Sequence, residues 1–337
     1  MLDTCQLCWQ NKTTLEKGVN MKASGIGGQA VLEGIMMRNK DKYSVAVRKP
    51  DKEIVVDVKK CNNIAEKYKI LKVPFIRGIY SFVDSLVIGM KTLTYSAEFY
   101  EVEPDPKEKP VDKVSKKIFK EKTESILMGI TVLFSIALSI LIFIMLPYGI
   151  SELLKNSLNI RSNTVLAIVE GILRILIFIL YLFLISRMED IQRTFMYHGA
   201  EHKCINCIES GFELNVENVQ MSSRIHKRCG TSFLFFVMFI SIVCFILVSC
   251  VLPEDASIIL KSLTRLALVP VIAGISYEIL RAAGRSDNKF LSIISRPGMW
   301  MQKLTTKEPD DSMIEVAIAA VEAVFDWKKF LGENNED

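Results

Sequence analysis

No apolar run opens this sequence. Residues 1–20 are polar and lack the hydrophobic core of a secretory signal, so the first membrane helix is expected inside the chain. Neither Gly-x-Gly-x-x-Gly nor a P-loop occurs, which removes the commonest nucleotide fingerprints. Gly25, Gly27 and Gly28 read as a tight turn entering a strand, with a bare-amide phosphate cradle as the lesser alternative. No nucleic-acid partner is expected. Cys5 and Cys8 form a C-x-x-C pair with no second pair nearby, which reads as incidental. Histidine is reduced to three residues in 337, and all three fall in one short stretch, so their clustering is not background.

Apolar residues, by contrast, are plentiful. Half of the chain is hydrophobic and 24% is charged, so the two kinds must segregate along it, as in a membrane protein with polar domains. Residues 126–146 carry no charge and, at about 1.5 Å per residue, cover a hydrocarbon core of ~30 Å. Residues 165–185 form a second span, interrupted by Glu170 and Arg174, and 232–252 a third. The fourth, 266–280, is short, broken by Pro270 and Gly274, and ends near Glu278; it admits a tilted or re-entrant segment. Glu170 and Arg174 are four apart and can pair on one helix face, as a structural clasp or as an element of a transport pathway. Basic residues crowd the approach to the first span and the segment after the second. By the positive-inside rule the protein is multi-pass, with both termini and the histidine-bearing loop on the cytoplasmic side. The lipid bilayer is then an expected partner, and cysteines there serve as thiols or metal ligands, not as a disulfide framework.

The expected fold is mainly α: about four transmembrane helices, a small N-terminal cytoplasmic β-hairpin or α+β element, and a C-terminal cytoplasmic helix. Residues 1–24 read as a disordered extension, with Met21 a candidate start of translation. Residues 25–100 hold a hairpin, with strands at 43–49 and 53–59, and then an amphipathic helix from 73 to 98 that lies at the membrane interface or packs on the bundle. Residues 101–124 form a charged linker. The transmembrane region covers 125–285 and includes a His/Cys loop at 186–231. The tail, 286–337, carries a helix capped by the run Pro309-Asp310-Asp311-Ser312.

The chemistry concentrates in His198-Gly-Ala-Glu201-His202, an H-x-x-E-H pattern. Imidazoles four apart share a helical face and can grip one divalent ion, while Glu201 between them can accept a proton from water. His226 is the preferred third ligand, with Cys229 and Glu278 in reserve. A rival set, Cys204, Cys207, His226 and Cys229, has the composition of a closed structural zinc site. Helix geometry separates the two, because Cys204 and Cys207 project from nearly the opposite face to His198 and His202. A third possibility is that these side chains are merely hydrogen-bonded and packed. Arg38, Arg77 and Arg228 are candidates to steady an anionic group.

Several blocks together resemble one family: GGQAVLEGIMMR (27–38), VPFIRGI (73–79), YHGAEHKCINC (197–207), SRIHKRCGTSF (223–233), YEILRAAGR (277–285) and PGMWMQKLTTKEPDD (297–311). They are similar to the YqhQ-like bacterial integral membrane proteins, a family of unknown function whose members carry the label of predicted metal-dependent enzyme. The resemblance implies a bacterial cytoplasmic-membrane protein in which His198, Glu201, His202, His226 and Cys229 match regular features and Cys204 and Cys207 do not, which weakens the closed cysteine-rich site. The expected activity is metal-assisted hydrolysis with zinc as the expected ion, Glu201 as the base, and peptide, lipid-headgroup and phosphoester substrates all open. The alternatives are a non-enzymatic scaffold within a membrane protein assembly, its oligomeric state open, or a transporter component.

Overall fold

A computed structural model describes residues 23–61, 64–100, 126–127, 129–158, 162–253, 256–285 and 289–335. The expectations for the N-terminal extension and for the linker 101–124 fall outside these residues, apart from residues 23 and 24. Contacts divide the chain into two units, and one of them joins segments far apart in sequence: Met1–Tyr100, Phe183–Phe236 and Ala273–Asp337. The other comprises Glu101–Leu182 and Val237–Ile272.

The first unit is built on a four-stranded antiparallel sheet of order β1-β2-β3-β4, with β1 Gly27–Val31, β2 Gly34–Asn39, β3 Lys42–Arg48 and β4 Ile54–Lys60. The expected hairpin is β3–β4, paired from Lys42↔Lys60 to Arg48↔Ile54. Ahead of it the glycine-containing run 27–38 folds into a second hairpin, so the sheet is twice as wide as the β-branched runs indicated. Its turn places Glu33 at φ 47, a left-handed conformation unusual for a non-glycine residue. Arg193 and Tyr197 hold the carboxylate of that residue.

Helix α1, Ile76–Glu98, follows the sheet after short helical turns at Ile64–Lys67 and Lys69–Lys72. The long spans come next: α2 Gly129–Lys155 and α3 Asn163–Ile185. Then come α4 Glu189–Glu209, α5 Val216–Met221, α6 Gly230–Val251, α7 Ile258–Arg285, α8 Lys289–Thr305, α9 Asp311–Glu322 and α10 Trp327–Asn335. Asp310 caps α9, its carboxylate accepting the Met313 N–H at 2.9 Å. The buried face of α9, including Met313, Val316, Ala317 and Ala320, packs on β2, β3 and α4. Tyr197, Ala200, Cys204 and Ile205 of α4 complete that core.

Four helices, Gly129–Lys155, Thr164–Ile185, Gly230–Val251 and Ile259–Ala283, are long and apolar enough to cross a membrane. The last is a correction to the short, broken segment expected from Pro270 and Gly274: α7 runs unbroken through Pro270. A proline removes one N–H bond and crowds one turn, a local loss that long apolar helices packed on neighbours absorb. Inside the second unit, Glu170 of α3 pairs with Arg174 at 2.8 Å, as its spacing predicts, and also with Arg265 of α7 at 2.7 Å. Arg174 Nε donates to the Phe143 carbonyl at 2.9 Å, within a π-helical turn at Leu141–Met145, and its NH1 donates to Ser241 Oγ at 3.1 Å. Such a turn shifts the backbone hydrogen-bond ladder and can turn a carbonyl toward a side chain. The Arg265 guanidinium also lies 4.3 Å from the Tyr148 ring centroid.

Replacing Glu170 with Gln strands two guanidinium groups at a buried site. We expect a loss of ~3–5 kcal/mol, read as a lower unfolding temperature in detergent. A Glu170→Gln protein that melts with the wild type would refute the clasp.

Candidate metal centre

The residues of the H-x-x-E-H motif lie near the middle of α4, a helix begun by Glu189 and Asp190, whose charges suit its N-terminal dipole. A turn through Gly211, at φ 82, ends it. His198, Glu201 and His202 share one face, as their spacing requires. Gly199 has a second reason to be there. A Cβ at this position would lie 2.1 Å from the Lys307 carbonyl oxygen, so only glycine lets the segment after α8 run against the helix. That segment is tied on by Lys307 N–H donating to Phe195 O at 2.9 Å.

The same close approach orients the first imidazole: His198 Nδ1 lies 2.9 Å from the Thr305 carbonyl. His202 Nδ1 lies 2.7 Å from the Arg224 carbonyl. A carbonyl can only accept, so both rings carry their proton on Nδ1, and in the neutral form each presents an Nε2 lone pair. Those lone pairs converge. His198 Nε2 is 3.2 Å from Cys229 Sγ, and the ligand atoms of His198, His202 and Cys229 all lie within 4.8 Å of one another. Glu201 Oε2 stands 3.9 Å from His198 Nε2 and 3.8 Å from His202 Nε2. The Thr231 N–H points at Cys229 Sγ at 3.4 Å. This cluster could hold a metal ion. Two imidazole nitrogens and a sulfur match the donor preferences of zinc, and the carbonyl bonds on the far side of each ring are the support that ligating histidines ordinarily have.

The other oxygen of Glu201 is fixed by the sheet, Oε1 accepting the Gly28 N–H at 3.0 Å. A Cβ on Gly28 would fall 2.7 Å from Glu201 Cγ and 2.8 Å from the Met36 carbonyl. The glycine run therefore does serve an anion through a bare backbone amide, and that anion is a carboxylate of the same chain.

Other candidate residues lie elsewhere. His226 does not reach the third vertex. Its Nε2 is 3.5 Å from Glu209 Oε2, and Gln302 holds its backbone, accepting from N at 2.9 Å and donating to O at 2.8 Å. Cys229, three residues on and immediately before α6, stands with the two histidines instead. Glu278 is paired with Arg77. Arg38 is paired with Asp84 at 2.7 Å, and Arg228 with Glu209. All three arginines considered for anion binding thus neutralise internal carboxylates. Cys204 and Cys207 are buried in the core between α4 and the sheet. Burial pushes the Cys204 thiol well up and that of Cys207 up to about 11. Residue spacing carries no sign of the two supporting carbonyls, because any residue type supplies one.

Burial alone would raise the pKa of Glu209, but hydrogen bonds from His226 and Ser24 and the charge of Arg228 outweigh it and hold the carboxyl down to about 2. A depressed folded-state pKa stabilises the fold above the unfolded value of about 4.5, and this contribution is lost as pH falls toward about 2. The stability gap between wild type and Glu209→Gln should therefore be widest at neutral pH and close in acid; a gap independent of pH would contradict the assignment. Gly28→Ala should displace Glu201 and cost ~1–3 kcal/mol of stability, measured by thermal unfolding, and an unperturbed variant would show that the Gly28–Glu201 contact is dispensable.

Comparison with known proteins places this architecture. A family model described as a protein of unknown function, DUF1385, matches residues 73–327. The uncharacterized protein YqhQ of Bacillus subtilis (strain 168) is 36% identical over 293 residues, which is 87% of this chain and 89% of that protein. No solved structure matches. With the six blocks of the resemblance falling in the β1–β2 hairpin, the start of α1, α4, the loop before α6 and the ends of α7 and α8, the chain belongs to the YqhQ-like DUF1385 family.

Proposed function

We propose that this chain is a membrane metalloenzyme in which His198, His202 and Cys229 hold a divalent ion, zinc by its donor set, for metal-assisted hydrolysis at the cytoplasmic membrane face. The observation that carries this reading is the pair of Nδ1–H bonds to the Thr305 and Arg224 carbonyls, which turn both Nε2 lone pairs toward Cys229 and Glu201. Three protein ligands leave one coordination position for water or substrate, the pattern of catalytic zinc. The ion supplies Lewis acidity toward an oxygen placed there.

The chain's own groups do the rest. The Gly28 amide holds one oxygen of Glu201, and the other faces the cluster, where it can accept a proton from water. The His198 side chain is 17% exposed, against 2% for His202 and 6% for Glu201, so a substrate would enter beside His198. The ends of α6 and α8 supply Cys229 as α6 begins and Thr305 as α8 closes, which suits a membrane-associated peptide, lipid headgroup or phosphoester.

The burial of Glu201 and His202 favours a second reading. Glu201 Oε2 would close the set as a fourth ligand, and the ion would pin α4 to the loop 223–229 in a non-enzymatic scaffold. Metal content decides between them. Protein purified without a metal-binding tag should contain stoichiometric zinc, iron or manganese, which His198→Ala, His202→Ala and Cys229→Ser lose and His226→Ala or Cys204→Ser keeps. Glu201→Gln should keep the ion and fail to complement the defect of a deletion strain. Loss of the ion from Glu201→Gln would establish the scaffold reading, and metal that survives loss of both His202 and Cys229 would sink both.

A further inference from the structure

Helix α1 presents its apolar residues on the wrong side for a water-soluble domain. Val83, Leu86, Val87, Met90 and Leu93 recur at helical spacing and are all exposed. The opposite face is already covered by the sheet. Ile88 packs with Val31, Met36 and Val45, Gly89 lies against the Gln29 amide, and Ser96 Oγ accepts the Leu32 N–H at 3.1 Å. A contiguous exposed apolar stripe of this kind marks a surface that something other than water covers.

Its neighbours locate that surface. Phe75 N–H and Arg77 Nε, at the start of α1, donate to Glu278 at 3.2 and 2.7 Å. Gly78 packs so closely on Gly274 and Tyr277 that a Cβ would meet Tyr277 Cβ at 2.9 Å. Farther along, the Phe82 and Phe233 rings lie 5.3 Å apart. Gly274, Tyr277 and Glu278 belong to the last turns of the span Ile259–Ala283, and Phe233 to the first turn of the span Gly230–Val251. Thus α1 runs beside two span ends at one membrane face. Just before it, exposed Lys67, Lys69 and Lys72 interleave with exposed Tyr68, Ile70 and Val73.

We propose that α1 is an interfacial helix, its apolar stripe immersed among lipid acyl chains and its three preceding lysines set against anionic headgroups. Basic residues beside an apolar helical face are the pattern that binds anionic bilayers. No part of this placement depends on a bound ion.

The full chain in nanodiscs of mixed phosphatidylcholine and phosphatidylglycerol tests it. The photo-crosslinker p-benzoylphenylalanine is placed at Leu86 or Met90, and at the exposed Glu315 of α9 as a control. Lipid adducts by mass spectrometry are expected at Leu86 and Met90 and absent at Glu315, with phosphatidylglycerol enriched several-fold over its share of the bilayer. Combined Lys67→Gln, Lys69→Gln and Lys72→Gln should return the adducts to the bulk lipid ratio. Cross-linked dimers, or no adducts at Leu86 and Met90, would overturn the lipid assignment, and adducts already at the bulk ratio in the wild type would overturn the role of the lysines.

Discussion

Two short hydrogen bonds from imidazole Nδ1 atoms to backbone carbonyls govern the candidate centre. An unsupported histidine can rotate, flip its tautomer or accept a proton on either nitrogen. Once Thr305 O and Arg224 O each take an Nδ1–H, the two Nε2 atoms must face the same small volume as Cys229 and Glu201. The carbonyls come from chain segments well beyond α4. The geometry of the cluster therefore reports how α4, the loop 223–229 and the end of α8 are assembled. An ion held there would link the same three segments, so that its binding free energy would also be folding free energy.

The sheet acts on this cluster from the other side. β1 holds Glu201 through Gly28, and β1 itself rests on α1 through Gln29. A carboxylate that would otherwise be free to swing is thus fixed at both ends, by its helix and by a strand. The cost is sequence freedom, since Gly28 and Gly199 each lie where a Cβ would strike another part of the chain.

The spanning unit solves the opposite electrostatic problem. There a single carboxylate, Glu170, faces two guanidinium groups within apolar helices. The Phe143 carbonyl, the Ser241 hydroxyl and the rings of Tyr148 and Phe245 supply the remaining negative potential. The sequence showed the Glu170–Arg174 half of this network because i,i+4 spacing on a helix guarantees proximity. Arg265, on a different helix, carries no such spacing signal. The same limit explains His226: its place in the one histidine-bearing stretch made it the natural third ligand, but the chain between α5 and α6 turns it to Glu209 and brings Cys229 round instead. The arginines show the same limit. The sequence offered them for an anionic group, and each meets a carboxylate contributed by a remote element.

Local periodicity by itself determined the four apolar helices, the β3–β4 hairpin, the capped helix α9 and the common face of His198, Glu201 and His202. These follow from a 3.6-residue or two-residue repeat that needs no knowledge of distant residues. Tertiary structure alone decided that the glycine run forms two more strands, that α7 continues through Pro270, that Cys229 joins the histidines and that Cys204 and Cys207 are core thiols. Each of those outcomes depends on where remote backbone atoms come to rest, and a carbonyl oxygen or an amide hydrogen leaves no mark in the residue types that provide it.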